Sequence, residues 1–187
     1  VSSACTGAEA TLVEDILHRV ASDLAMICDR ELDVDVHSVE KHAERTVGKG
    51  GIHISFRLGF EQEDKRTHGC LLMPLPDAIS LACYLMMVPD DSVKGKRSLK
   101  DIDESIKDAM LEVGNFIGGA ADAALRESSS VVAKVSSEGC QGVRPNVRPA
   151  LCYNEGEGLV VGRARSTIHE YPEFEMILML PELEGLE

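Results

Sequence analysis

Between residues 8 and 28, Leu12, Ile16, Leu17, Val20, Leu24 and Ile27 recur at intervals of three and four, which predicts an amphipathic helix. A polar stretch follows. Ile52, Ile54, Phe56 and Leu58 then alternate with His53, Ser55 and Arg57, the two-residue period of a strand with one wet face. The charged run 61–66 reads as a hairpin turn whose return strand holds Cys70, Leu71, Leu72 and Met73. Pro74 and Pro76 end that strand, and Pro76 with Asp77 opens a short helix carrying Ile79, Ala82, Cys83 and Met86 on one side. Residues 89–100 are polar, contain Pro and Gly and have no periodicity, so a linker is expected there, centred on 89–97. Ser98 followed by Asp101 resembles a capping-box start for the longest helical pattern, residues 99–126. After the serines at 128–130, strand-like runs occupy 131–135, 150–153, 159–165 and 174–180.

The order helix, strands, helix, then helix, strands predicts one α+β domain over residues 1–187, built of two pseudo-equivalent halves, about 8–88 and 98–187. Sliding the first long helix onto the second by 93 residues pairs Leu17 with Met110, Val20 with Val113, Ala21 with Gly114, Leu24 with Ile117 and Ala25 with Gly118. Leu72, Met73 and Pro74 meet Met179, Leu180 and Pro181 if the second half carries an insertion of about fourteen residues, which surface loops absorb at little cost.

The second long helix has Gly114, Gly118 and Gly119 in its interior, each costing about 1 kcal/mol relative to Ala, so something is expected to approach its backbone closely. Gly114, Gly118 and Ala121 share one side, expected to face the Ala21, Ala25 and Cys28 side of the first helix. Ile102, Ile106, Val113, Ile117, Ala120 and Ala124 form a core stripe. Asp108, Glu112, Asn115 and Gly119 fall within about 60° of one another on the opposite side and should be exposed.

Composition narrows the partners. With 32 acidic against 19 basic side chains the formal charge is -13, and no basic cluster exceeds Lys94, Lys96, Arg97 and Lys100, so nucleic acid and membrane surfaces are disfavoured. Proteins with a basic or mixed face are the expected partners. The six cysteines form no CxxC pair and no tight spacing with histidine, which argues against a zinc or redox site and for reduced thiols. Apolar runs are too short to span a bilayer and no leader pattern is present, so a soluble, cytoplasmic protein is expected. The chain opens on Val1, so its true start is expected upstream. The histidines are scattered without an HExxH frame, and Gly48 to Gly51 is too short for a phosphate loop.

The run from Asp108 to Gly119, with Glu112, Gly114, Asn115 and Gly118 between, resembles the signature of the CheC/CheX/FliY chemotaxis phosphatases: Asp or Ser, three residues, Glu, two residues, Asn, then small residues. By motif the likeness covers residues 108–119; by layout it covers most of the chain. It implies a mostly antiparallel sheet with the long helices packed on one face. It also implies a phosphatase that hydrolyses the aspartyl-phosphate of a response-regulator receiver domain by inserting the exposed helix into that domain's active site. Glu112 would pair with the receiver's active-site Lys, Asn115 would orient the attacking water, and Asp108 and Gly119 would support docking. No cofactor is expected on this chain; Mg²⁺ is expected on the partner receiver. A Pro that such proteins often carry about two dozen residues after the Asn is missing here, where the chain reads Glu138, Gly139, Cys140. In the 93-residue alignment the first helix offers Asp15, Arg19 and Ser22 in place of the motif, so a one-site, CheX-like protein is implied and a homodimer is possible. A non-catalytic signalling or flagellar-switch-type adaptor on the same fold is the alternative.

Overall fold

The computed structural model describes residues 4–153 and 157–186. Chain order is α1 (Gly7–Cys28), β1 (Leu32–His42), β2 (His53–Gln62), β3 (Lys65–Pro74), α2 (Leu75–Leu85), α3 (Asp90–Lys96), α4 (Glu104–Ser128), β4 (Lys134–Val143), β5 (Leu159–Ile168) and β6 (Phe174–Pro181). The six strands form one antiparallel sheet in the order β1-β5-β6-β3-β2-β4. The alternation read from the sequence sorts the strand residues onto two faces. Phe56, Leu58, Phe60, Leu71, Met73, Val160, Ala164, Met176 and Leu178 join the buried faces of α1, α2 and α4 in the main core. Cys70, Leu72, Leu159, Val161, Ile177 and Met179 point the other way into a smaller cluster against Leu151 and Tyr153 of the β4–β5 connection. The α+β architecture with the long helices on one face is therefore as expected.

Exchanging β1 with β4, β2 with β5 and β3 with β6 leaves the strand order unchanged apart from its direction. The centre of this symmetry lies where Leu71 stands opposite Leu178, flanked by Cys70 opposite Met179 and Leu72 opposite Ile177. Each half's first strand crosses to pair with the second strand of the other half, β1 with β5 and β4 with β2. The halves are thus interlocked, and neither could bury its sheet alone.

The helices refine the register of the repeat. Their N-caps, Thr6 and Asp103, lie 97 residues apart, and all nine buried positions of α1 fall on buried positions of α4 at that shift. The 93-residue match is off by one helical turn, which preserves the stripe and so cannot be distinguished by periodicity. Since Leu71 and Leu178 are 107 apart, ten residues are inserted in the second half, not fourteen. Half of them lie in the β4–β5 connection, 144–158 against 43–52.

Other expectations need correction. Residues 89–97 are not an irregular linker: Pro89 caps α3, with Asp90 and Asp91 in its first turn and Lys94 and Lys96 in its last, charges that suit the helix dipole. Helix α4 starts at Asp103, whose carboxylate accepts from the Ile106 N–H at 2.9 Å, and not at Ser98. The polar stretch after α1 contains β1, whose acidic face (Asp33, Asp35) hides the alternation of Val34 and Val36; such charges suit an edge strand. The run at 131–135 marks the approach to β4 and its first two residues, Lys134 and Val135. Residues 150–153 form no strand, although Cys152 and His68 exchange two hydrogen bonds, His68 N–H to Cys152 O at 2.8 Å and Cys152 N–H to His68 Nδ1 at 3.0 Å.

Candidate functional site

Helix α4 carries the motif, and its glycines explain how it sits. A Cβ on Gly118 would lie 2.8 Å from the Ser137 backbone nitrogen, and one on Gly114 would lie 3.2 Å from Ser137 Oγ and 3.4 Å from Phe56. The glycine stripe therefore faces β4 and β2, not α1 as expected. At the matching place in the other half the small residue is on the sheet: Gly162 of β5 lies under Val13 and Leu17 of α1. Phe56 and Gly162 are true counterparts, since they stand opposite Leu71 and Leu178 respectively. Large and small have exchanged layers while the packing is preserved. Gly119 has open space where a Cβ would be, so packing places no demand on it.

With one side of α4 on the sheet and Ile106, Val113, Ile117 and Ala120 in the core, the opposite side is left to solvent. Asp108, Glu112, Asn115 and Gly119 all lie exposed there. Asn115 Nδ2 donates to Glu112 Oε2 at 3.4 Å, a long contact across one helical turn. Asn115 Oδ1 is then the amide atom left to accept from a water. Among the described residues the Asp108 side chain has no hydrogen-bond or ion-pair partner, and the Glu112 side chain has only Asn115. A carboxylate and a neutral amide thus stand side by side on a rigid element, uncommitted to the protein's own structure.

The shift of 97 residues places Thr11, Asp15, His18 and Ser22 of α1 where α4 has Asp108, Glu112, Asn115 and Gly119. This face carries a carboxylate but no carboxamide, as does the triplet Asp15, Arg19 and Ser22 one turn away.

No family model and no curated protein sequence matches the chain. Solved structures do. FliY of Thermotoga maritima superposes with a TM-score of 0.69 at 17% identity, covering 98% of this chain and 94% of FliY. FliM from H. pylori, crystallised in complex with SpeE, gives 0.65 at 11% identity over 95% and 90% of the two chains. The chemotaxis protein CheX from Desulfovibrio desulfuricans gives 0.57 at 14% identity over 91% and 99%. The chain has the CheC/CheX/FliY fold. The resemblance read from residues 108–119 and the superposition of nearly the whole chain arrive at the same fold by separate routes.

One cluster had no sequence signal. At the β4 bulge, where Gly139 takes φ 88°, Glu138 reaches His68 Nε2 at 2.6 Å, Arg66 and, at 3.9 Å, Arg57 Nε. Burial pushes the Glu138 carboxyl up, but the Arg66 hydrogen bond and the positive side chains gathered around it outweigh it and hold the group below its ordinary value. The cluster pins the bulge in the stretch where a Pro was expected. The six cysteines are unpaired, with Cys28, Cys70 and Cys83 buried. Among the described residues no group of three or more His, Cys, Asp or Glu is placed to hold a metal, and no helix is long and apolar enough to cross a membrane.

Proposed function

We propose that the protein is a CheX-like phosphatase acting on the aspartyl-phosphate of a response-regulator receiver domain through Glu112 and Asn115. The observation that carries this reading is the exposed, hydrogen-bonded Glu112–Asn115 pair, free of other partners, on the helix where the motif resemblance puts it. The receiver supplies the phosphorylated Asp and its Mg²⁺, so little chemistry is asked of this chain beyond placement. Glu112 meets the receiver's Lys, an ion pair that forms only when the two surfaces meet. Asn115 Oδ1 accepts from the attacking water and holds it in line with the scissile P–O bond, and Nδ2 stays with Glu112. Water oxygen bonds to phosphorus, the Asp carboxylate leaves, and inorganic phosphate is released. An amide suits the task because it orients water without adding charge beside the metal. Asp108 and Gly119 border the pair, one offering a further carboxylate and the other a backbone that a partner can approach.

The two residues separate in steady-state kinetics with a phosphorylated receiver. Asn115→Ala is expected to lower kcat by about 100-fold with KM little changed, since only water placement is lost. Glu112→Ala is expected to act chiefly on KM. An adaptor that docks without hydrolysis is the second reading, favoured by the FliM neighbour that binds SpeE. It predicts binding with no release of phosphate.

A further inference from the structure

The two halves act as each other's control. At the shift of 97 residues, Leu111 and Phe116 of α4 correspond to Glu14 and Arg19 of α1. Arg19 is tied down, to Asp23 at 3.4 Å and to Glu127 at 3.1 Å, and Glu14 is exposed. Leu111 and Phe116 remain 43% and 37% exposed. The fold therefore accepts charged side chains at these two positions, and packing does not explain why α4 has apolar ones.

Their placement is specific. At roughly 100° per residue, Leu111 and Phe116 lie about 70° to either side of the ridge formed by Asp108, Asn115, Gly119 and Glu112. Leu111 leans toward the β4 edge, where a Cβ on Gly139 would lie 3.9 Å from its Cδ2. Phe116 leans toward α1, on the side from which Glu127 reaches Arg19. This inverts the usual apolar centre and polar rim of a protein contact: here the exposed apolar side chains flank a polar pair, where they can exclude water around it once a partner is seated. The surroundings are acidic: Asp101, Asp103, Glu104, Asp108 and Glu112 are exposed against Lys100 and Lys107, and Lys107 is engaged by Glu104 at 3.1 Å. The complementary surface has cations at its centre.

We infer that Leu111 and Phe116 are positioning residues that seat a phosphorylated receiver domain on α4, and that their absence from α1 restricts docking to one half of the molecule. The inference rests on the function proposed above for the occupant of the site. The seated partner covers both flanks of the Glu112–Asn115 pair, leaving the bound water as the one in reach of phosphorus.

The test gives α4 the residues that α1 already uses, Leu111→Glu with Phe116→Arg. Receiver domains from the same genome, activated with beryllofluoride, are titrated for Kd; the same receivers, charged with acetyl phosphate, give KM and kcat. The double variant is expected to weaken Kd and raise KM by at least about 10-fold while kcat falls less than about 3-fold. Glu14→Ala on α1 is expected to leave Kd unchanged. A wild type that hydrolyses the phosphoryl group with Kd and KM untouched in the double variant overturns the inference and leaves the phosphatase standing. A wild type that binds through these residues without hydrolysis overturns the phosphatase and supports the seating surface. Binding to no receiver overturns both.

Discussion

Three glycines in one helix had the same meaning in the sequence and have different meanings in the structure. Gly118 is required: a methyl would meet the Ser137 backbone at 2.8 Å, and backbone cannot swing aside. Gly114 is tolerant, since its nearest neighbour is the rotatable Ser137 hydroxyl at 3.2 Å. Gly119 is open. Thermal unfolding should rank them accordingly. Gly119→Ala is expected to stabilise by up to about 1 kcal/mol through helix propensity, Gly114→Ala to be near neutral, and Gly118→Ala to destabilise despite the same propensity gain. If Gly119→Ala also weakens receiver binding, its bareness belongs to docking. The sequence announced that something comes close to this helix, but the partner is a strand 19 residues further on, and stripe matching alone pointed to α1. The exposed ridge was legible because it depends only on the 3.6-residue period and a well-formed amphipathic pattern.

At the scale of elements, the legible ones were those whose pattern is clean: α1, the β2–β3 hairpin, α2, α4, β5 and β6. Elements masked by charge were not. Asp and Glu on the outer face of β1, and the dense charges of α3, imitate loop composition although each charge sits where an edge strand or a helix dipole accepts it. The β4 bulge is the hardest case, since Glu138, His68, Arg66 and Arg57 are brought together from three strands by pairing register alone. Its energetics carry a pH signature. A carboxylate whose folded pKa lies below the unfolded one contributes stability that is present above the unfolded value and lost as pH falls through the folded one. The difference in Tm between wild type and Glu138→Gln is therefore expected to be positive at pH 7 and to shrink as pH falls below 4.5, the group's ordinary value. A difference that stays constant from pH 7 to pH 3 would show that the cluster is not held by the ionised carboxylate.

For the molecule as a whole, a sheet whose strand order reads the same from both ends carries a surface that differs between its two halves. The core is conserved between halves at the level of position, not identity: Leu17 over Gly162 in one, Gly114 near Phe56 in the other. The surface has no such constraint, and the halves differ there, with the Glu112–Asn115 pair and its apolar rim on α4 against Asp15, His18, Glu14 and Arg19 on α1. The strand order interlocks the two halves, so the helix that carries the ridge packs on strands from both, β4 and β2. The acidic balance of -13, which first argued only against nucleic acid and membranes, is compatible with a partner whose contact surface holds cations.

The most direct measurement is the decay of the phosphoryl group on a receiver domain charged with acetyl phosphate, followed after adding the wild-type protein or Asn115→Ala. Wild type is expected to accelerate the decay by an order of magnitude or more, and Asn115→Ala to leave it at the rate of the receiver alone. Equal acceleration by both proteins, or none by the wild type with any receiver from the same genome, would contradict the proposed function.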